Sequence, residues 1–178
     1  SVTATVSNSD TIKSVGSESI TLTGGNDIDS GTWVYTGNGN SSANTFVVSN
    51  FGTTDYYNLT INSTDGSTDI YQFGAAIAVA GNFTNTAGTF DLAQYDFTVT
   101  GTEVNDSVIR LKGAQTISIG THDIDSGTWQ YKGDGDSAAD TFTIKDFGST
   151  DYYNLTIDST DGATDIFQLG AATTVANI

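Results

Sequence analysis

One stretch of the sequence occurs twice and decides the fold. It reads DIDSGTWVYTGNGNSSANTF from Asp27 to Phe46 and DIDSGTWQYKGDGDSAADTF from Asp123 to Phe142. The two copies stay aligned without a gap over residues 27–79 and 123–175, at a constant offset of 96 residues. A duplication of this extent indicates that residues 1–178 form a single repetitive domain.

The long repeat subdivides into shorter units, because a period of 96 residues exceeds the length of common solenoid units. Residues suited to begin a strand recur at shorter intervals, namely Phe46, Tyr71, Phe90, Ile117, Phe142 and Phe167. We therefore expect each 96-residue block to hold four coils of about 24 residues.

The composition predicts an all-β protein. Short alternating runs such as Thr32–Gly37 recur, and the chain has 20 Gly and no Pro. Pro would remove a hydrogen-bond donor from a central strand, and Gly suits corners where φ is positive. With the nested periods, this favours a parallel β-solenoid, a right-handed β-helix of about seven coils. Tandem β-sandwiches are the alternative, which the Asp-Gly pairs at 65–66 and 161–162 support as hairpin turns.

Comparison of the two copies separates core positions from surface positions. Aromatic residues are kept at alternate positions of the Trp-containing strand, whereas their neighbours change, so this set should face the core: Trp33, Tyr35, Trp129 and Tyr131. By the same alternation, Tyr56 and Tyr152 should face outward. They are then the candidate ligand-binding residues, as exposed platforms on which sugar rings could stack.

Charge and composition exclude several classes of function. The chain carries 5 Lys and Arg against 21 Asp and Glu, a formal net charge of -16. Such a surface repels phosphate, which argues against nucleic-acid partners and anionic membrane surfaces. The chain has no Cys and a single His, so disulfides, thiolate sites and multi-His metal centres are excluded. Apolar runs are too short for membrane insertion.

Three strings resemble the repeats of very large bacterial cell-surface proteins. They are NLTINSTDG, AVAGNFTNTAGTFDL and YDFTVTG, at residues 58–66, 78–92 and 95–101. They are similar to repeats of the autotransporter-passenger and filamentous-adhesin type, which are parallel β-helices. The resemblance implies an exported, surface-exposed protein with a structural or adhesive role, located outside the cell or at its surface. It carries over no catalytic residues.

The string GDGDSAAD is the most site-like in the chain. It places Asp134, Asp136 and Asp140 at short spacing on a Gly-rich loop, an arrangement that suits Ca²⁺. Secondary ligands could come from Asp161 and Asp165, or instead from Asp123 and Asp125. The first copy has Asn at the three loop positions, which should weaken the affinity for Ca²⁺. A solvated turn rich in Asp and Asn is the alternative interpretation.

Catalysis is not expected, because candidate carboxylate pairs occur twice whereas an active site should interrupt the repeat. The residues that do interrupt it are Glu103, Arg110 and His122. We therefore expect a non-catalytic structural or adhesive module that associates with itself end to end, because solenoid ends expose unpaired backbone. The alternative is a carbohydrate-binding module that contacts surface glycans.

Overall fold

The computed structural model describes residues 5–161 and 164–177. Fifteen β-strands follow one another within these described residues: β1 Thr11–Ser14, β2 Thr32–Tyr35, β3 Thr45–Val48, β4 Asn58–Asn62, β5 Ile70–Phe73, β6 Ile77–Val79, β7 Phe83–Ala87, β8 Thr89–Asp91, β9 Phe97–Asn105, β10 Val108–Leu111, β11 Ile117–Thr121, β12 Thr128–Tyr131, β13 Thr141–Ile144, β14 Asn154–Ile157 and β15 Ile166–Leu169. One 3-10 turn, Gly66–Thr68, lies between β4 and β5. Within the described residues, no helix has the length and apolar character needed to cross a membrane.

Every described strand pair is parallel, and each pair joins strands of consecutive coils. The predicted parallel β-solenoid of about seven coils is therefore confirmed. The tandem β-sandwich alternative is wrong, because a sandwich needs antiparallel neighbours. The Asp65-Gly66 pair, which suggested a hairpin, forms the start of the 3-10 turn at a coil corner instead.

A complete coil has three faces. The first face carries β1, β2, β4, β7 and the end of β9; the second carries β3, β5, β8, β10, β12 and β14. The third face carries β6, the start of β9, and β11. Strand β9 serves two faces because it is nine residues long and pairs with β6 through its start and with β7 through its end. The strands β13 and β15 pair with each other.

The two copies of the repeat lie on different faces. The TWVY strand β2 belongs to the first face, whereas its counterpart TWQY, strand β12, belongs to the second. The 96-residue period thus spans four coils plus one face. The prediction that it holds four coils of about 24 residues is therefore wrong. Paired residues are as few as 19 positions apart (Thr89 and Val108) and as many as 26 (Thr32 and Asn58). The residue stacked after Phe90 is Ile109, on the same face, and not Ile117.

The core runs along the solenoid axis as a continuous aromatic and aliphatic stack. The predicted inward residues Trp33, Tyr35, Trp129 and Tyr131 are all buried, which confirms the comparison of the copies. In the middle coils, Phe90 packs with its ring centroid 4.4 Å from that of Phe83 and 5.2 Å from that of Phe97. Aromatic pairs in such tilted and edge-to-face arrangements stabilise a fold beyond the area they bury.

The corners are held by buried aspartates that the sequence did not single out. Asp55 accepts hydrogen bonds from the main-chain amides of Phe51, Gly52 and Ala78, so its carboxylate ties its own corner to the next coil. Asp151 repeats the arrangement in the second copy. A carboxylate that satisfies three amides offsets much of the cost of its burial.

Candidate functional site

The acidic site lies where two corners stack on each other. The loop between β12 and β13 supplies Asp134, Asp136 and Asp140, and the turn between β14 and β15, one coil further on, supplies Asp161 and Asp165. Carboxylate oxygens of Asp134, Asp136 and Asp140 lie within 4.8 Å of one another. The structure therefore brings together the three predicted loop residues.

Asp134 also belongs to a second cluster, in which its carboxylate oxygen and those of Asp161 and Asp165 lie within 4.8 Å of one another. One of the two predicted secondary pairs, Asp161 and Asp165, is thus at the site. The other pair is elsewhere: Asp123 accepts hydrogen bonds from the main-chain amides of Asn105 and Asp125 at a different corner.

Glycine residues leave room for the aspartate side chains of the two corners to approach one another. Gly133 has a φ of 70°, and a Cβ atom placed there would lie 2.0 Å from Oδ2 of Asp165. A side chain at this position would therefore collide with the carboxylate as well as strain the backbone. Gly135, with a φ of 76°, directs its amide to Oδ2 of Asp161 at 3.1 Å.

The electrostatics of the loop show the cost of the arrangement. Burial raises the pKa of Asp140, and the carboxylates of Asp134, Asp136, Asp165 and Asp161 raise it further. Like charges held this close disfavour one another's ionisation. The Nζ atom of Lys112 donates to the main-chain carbonyl of Asp134 at 3.0 Å, which brings one positive charge to the loop.

Two carboxylate oxygens of the site have no donor. Oδ1 of Asp134 and Oδ1 of Asp165 are shielded from solvent and find no hydrogen-bond partner among the described residues. The other oxygen of Asp165 accepts from the Ser159 hydroxyl at 3.0 Å. A buried carboxylate oxygen without a donor or cation is costly, and this is where the site differs most from an ordinary solvated turn.

The predicted sugar platforms are absent, because Tyr56 and Tyr152 are both buried with 0% of their surface exposed. The expectation that they face outward was wrong for a structural reason. It treated residues 56–61 as one alternating strand, whereas β4 begins at Asn58 and a corner at Tyr57 intervenes. Tyr56 and Leu59 consequently both point into the core.

The buried tyrosines instead form hydrogen-bonded pairs. The hydroxyls of Tyr35 and Tyr56 are 3.0 Å apart, and Tyr56 donates to the carbonyl of Ser49 while the amide of Ser49 donates to Tyr35. The second copy has the same network around Tyr131 and Tyr152. These tyrosines hold a loop to the core. The sequence carries a signal for this role, because both copies keep the two tyrosines at the same spacing and each side chain ends in a polar group.

The residues that interrupt the repeat form a contact of their own. Nδ1 of His122 lies 2.7 Å from Oε2 of Glu103, and its Nε2 lies 2.6 Å from the carbonyl oxygen of Asp151. The imidazole stacks on Phe147 with a centroid separation of 3.9 Å. Glu103 is fully buried, and the His122 side chain is 7% exposed. Arg110 lies apart from them, against Gln130 and Asp91.

Comparisons of the chain with protein-family models, curated proteins and solved structures found no match. The functional argument therefore rests on the geometry of the chain itself.

Proposed function

We propose that the chain is a non-catalytic structural module of an extracellular or cell-surface filament, with a structural or adhesive role. Its coils stack end to end with those of a second copy. One observation carries the proposal: the last coil exposes apolar side chains that its counterpart in the first copy buries. Leu169 is 59% exposed, whereas Phe73 at the equivalent position is 3% exposed. Ile157 is 45% exposed, whereas Ile61 is 0% exposed.

The first copy shows what covers such a coil. There, Leu59 of β4 pairs with Phe83 of β7, and Tyr71 of β5 pairs with Phe90 of β8. The exposed side chains of the last coil point inward, since Ile157 is in register with the buried Tyr131, and Leu169 with Ile144. A further parallel coil is therefore the complementary partner of this face.

A second copy of the chain can supply that coil. In the described residues, β1 pairs on one side alone, with β2, so its outer edge is available to a parallel strand. Contact between the last coil of one copy and β1 of the next is heterologous and propagates as a filament. The net charge of -16 opposes lateral packing of the copies, whereas axial contact covers mainly apolar side chains.

The non-catalytic assignment is supported by the burial of the residues that interrupt the repeat. Glu103 and the His122 ring are enclosed by the coils, so neither is placed to touch a substrate. The extracellular location is supported by the resemblance to bacterial surface repeats. Antibody labelling of intact cells of the source organism, compared with permeabilised cells, tests the location directly.

Sedimentation velocity over a range of protein concentrations tests the axial association. We expect the purified chain to form concentration-dependent oligomers, and the double variant Ile157→Asp, Leu169→Asp to sediment as a monomer. Ile124→Asp is the matched control, because Ile124 and its counterpart Ile28 are exposed to the same extent, 44% and 45%, in both copies. A monomeric wild-type chain, or an equal effect of the control, would contradict the proposal.

A further inference from the structure

We infer that the second copy binds Ca²⁺ between its stacked corners, through Asp134, Asp161 and Asp165 with Asp136 and Asp140, and that in the first copy the amide of Asn44 replaces the ion. This inference is independent of the proposed function.

The first copy contains the same two corners with a donor at the centre. The side-chain amide of Asn44 donates to Oδ1 of Asn40 at 2.9 Å and to the carbonyl of Ser42 at 2.6 Å, and lies 3.4 Å from Oδ1 of Asp69. The main-chain amide of Asn44 also donates to Oδ1 of Asp69, at 3.1 Å. The oxygens that converge in this copy are thus satisfied by N–H groups.

The second copy has the same convergence without the donor. Asp140 stands at the position of Asn44, so a carboxylate replaces the amide that held the oxygens together. Oδ1 of Asp165, the counterpart of the Asp69 oxygen that Asn44 contacts, is shielded and unpartnered, and so is Oδ1 of Asp134. The three Asn-to-Asp differences replace amide donors by acceptors, and the Ser159 hydroxyl is the side-chain donor that still reaches Asp165. This leaves a place that a cation fills.

The chemistry of the donor set selects the class of cation. The ligand atoms of both clusters are carboxylate oxygens, which suit a hard cation, and no His or Cys belongs to the clusters. Ca²⁺ bonds to oxygen at about 2.3 to 2.6 Å, so two ligands on opposite sides of the ion lie about 4.8 Å apart. The carboxylate oxygens of each cluster lie within 4.8 Å of one another, close enough for one Ca²⁺ to contact all three. Mg²⁺ requires shorter bonds and stricter octahedral geometry than two stacked loops provide.

The charge at the site supports the assignment. Five carboxylates meet at the stacked corners of the second copy, and the hydrogen bond of the Lys112 ammonium goes to the main-chain carbonyl of Asp134. In the first copy the equivalent positions hold two carboxylates, Asp65 and Asp69. Asp65 and its counterpart Asp161 each accept from two main-chain amides of the loop. A divalent ion would relieve repulsion in the second copy that does not exist in the first.

Calorimetric titration of the metal-free chain with Ca²⁺ tests the inference, and the two copies supply matched variants. We expect one site in the wild-type chain. The triple variant Asp134→Asn, Asp136→Asn, Asp140→Asn should lose it, and should still fold because the first copy carries these residues. The reciprocal variant Asn38→Asp, Asn40→Asp, Asn44→Asp should bind two ions. Asp10→Asn, which removes one exposed carboxylate elsewhere, should bind one ion unchanged.

Several results would overturn the inference. They are the absence of binding by the wild-type chain at millimolar Ca²⁺, unchanged binding by the triple variant, and Mg²⁺ binding as tight as that of Ca²⁺. Repeating the titration on the Ile157→Asp, Leu169→Asp chain separates the two proposals. If filaments fail to form but one Ca²⁺ still binds, the metal site stands without axial association.

Discussion

The buried side chains of His122 and Glu103 are in direct contact, with Nδ1 of the imidazole 2.7 Å from Oε2 of the carboxyl group. Both ring nitrogens of His122 have an oxygen within hydrogen-bond distance, because Nε2 lies 2.6 Å from the carbonyl oxygen of Asp151. In the first copy, Asn26 donates to the equivalent carbonyl of Asp55 at 2.8 Å. His122 therefore keeps the corner contact of the first copy and adds a contact to the buried Glu103.

Replacing His122 by Asn should destabilise the chain by about 1 to 3 kcal/mol, because Oε2 of the buried Glu103 would lose its His122 partner. The double variant His122→Asn, Glu103→Gln should recover much of this loss. Urea unfolding of the single and double variants gives the coupling between the two positions. Arg110→Gln, which breaks a partly exposed pair, should cost at most about 1 kcal/mol. Equal losses for His122→Asn and Arg110→Gln would contradict a stabilising contact between the buried His122 and Glu103.

Removing the hydroxyl of Tyr56 should lower the free energy of unfolding by about 1 to 3 kcal/mol, because the Ser49 carbonyl and the Tyr35 hydroxyl would lose a partner inside the core. Tyr56→Phe can be compared with Tyr57→Phe by chemical denaturation. Tyr57 is half-buried, so the removal of its hydroxyl should have a small effect on the free energy of unfolding. If Tyr57→Phe were the more damaging of the two, the hydrogen-bonded tyrosine pair would not be holding the loop.

Alkaline pH should unfold the chain through its buried tyrosines. Burial raises the pKa of Tyr71 to about 12, and burial also raises the pKa values of Tyr56, Tyr131 and Tyr152. Below pH 10 both folded and unfolded chains keep these hydroxyls protonated, so their contribution to stability is complete. Above pH 10 the unfolded chain loses protons that the folded chain retains, so stability falls as the pH rises towards the folded-state values.

Circular dichroism and tyrosinate absorbance, followed together during an alkaline titration, measure this effect. Ionisation of the buried tyrosines should coincide with loss of the β signal. Tyr71→Phe should move the transition to higher pH, because it removes one of the buried hydroxyls whose ionisation favours the unfolded chain. Full ionisation of all eight tyrosines with the fold intact would refute the expectation.

Gly127→Ala should be strongly destabilising, because a Cβ atom there would lie 2.0 Å from the main-chain oxygen of Asn105 in the preceding coil. Gly25→Ala isolates this collision from backbone strain: Gly25 also has a positive φ, 86°, but a Cβ atom there would meet nothing within 4 Å. We expect a loss of about 1 to 2 kcal/mol for Gly25→Ala from strain alone, and a clearly larger loss for Gly127→Ala. Thermal unfolding of the two variants provides the comparison.

The sequence predicted the parallel solenoid because short strand-like runs recur along a chain that has no Pro and many Gly. It predicted the inward position of Trp33 and Trp129 because the substitutions between the copies avoid the core. It failed for Tyr56, because alternation holds within a strand and gives no sign of the corner at Tyr57. The sequence also did not predict the coil length. Phe90 and Ile117 look equally suited to begin a strand, and only the strand pairing assigns them to different faces.

The acidic site shows the same division. Asp134, Asp136 and Asp140 were predicted together because they are close in sequence. The sequence did not decide whether Asp161 and Asp165 or Asp123 and Asp125 supply the secondary ligands, because that depends on which corners stack on each other. The decisive feature, the replacement of the Asn44 donor by Asp140, is visible in the sequence, but its meaning requires the contacts of Asn44 in the first copy.

The second copy is displaced from the first by one face of the solenoid. Equivalent surfaces of the two copies are therefore related by a rotation about the axis combined with a shift along it. The corner loop 37–44 joins the first and second faces, whereas its counterpart 133–140 follows the second face, so the two loops differ in azimuth about the axis. A row of identical binding loops along one side would require a repeat of a whole number of coils. In an array of such repeats, equivalent loops would wind around the shaft, and every third copy would return to the same side.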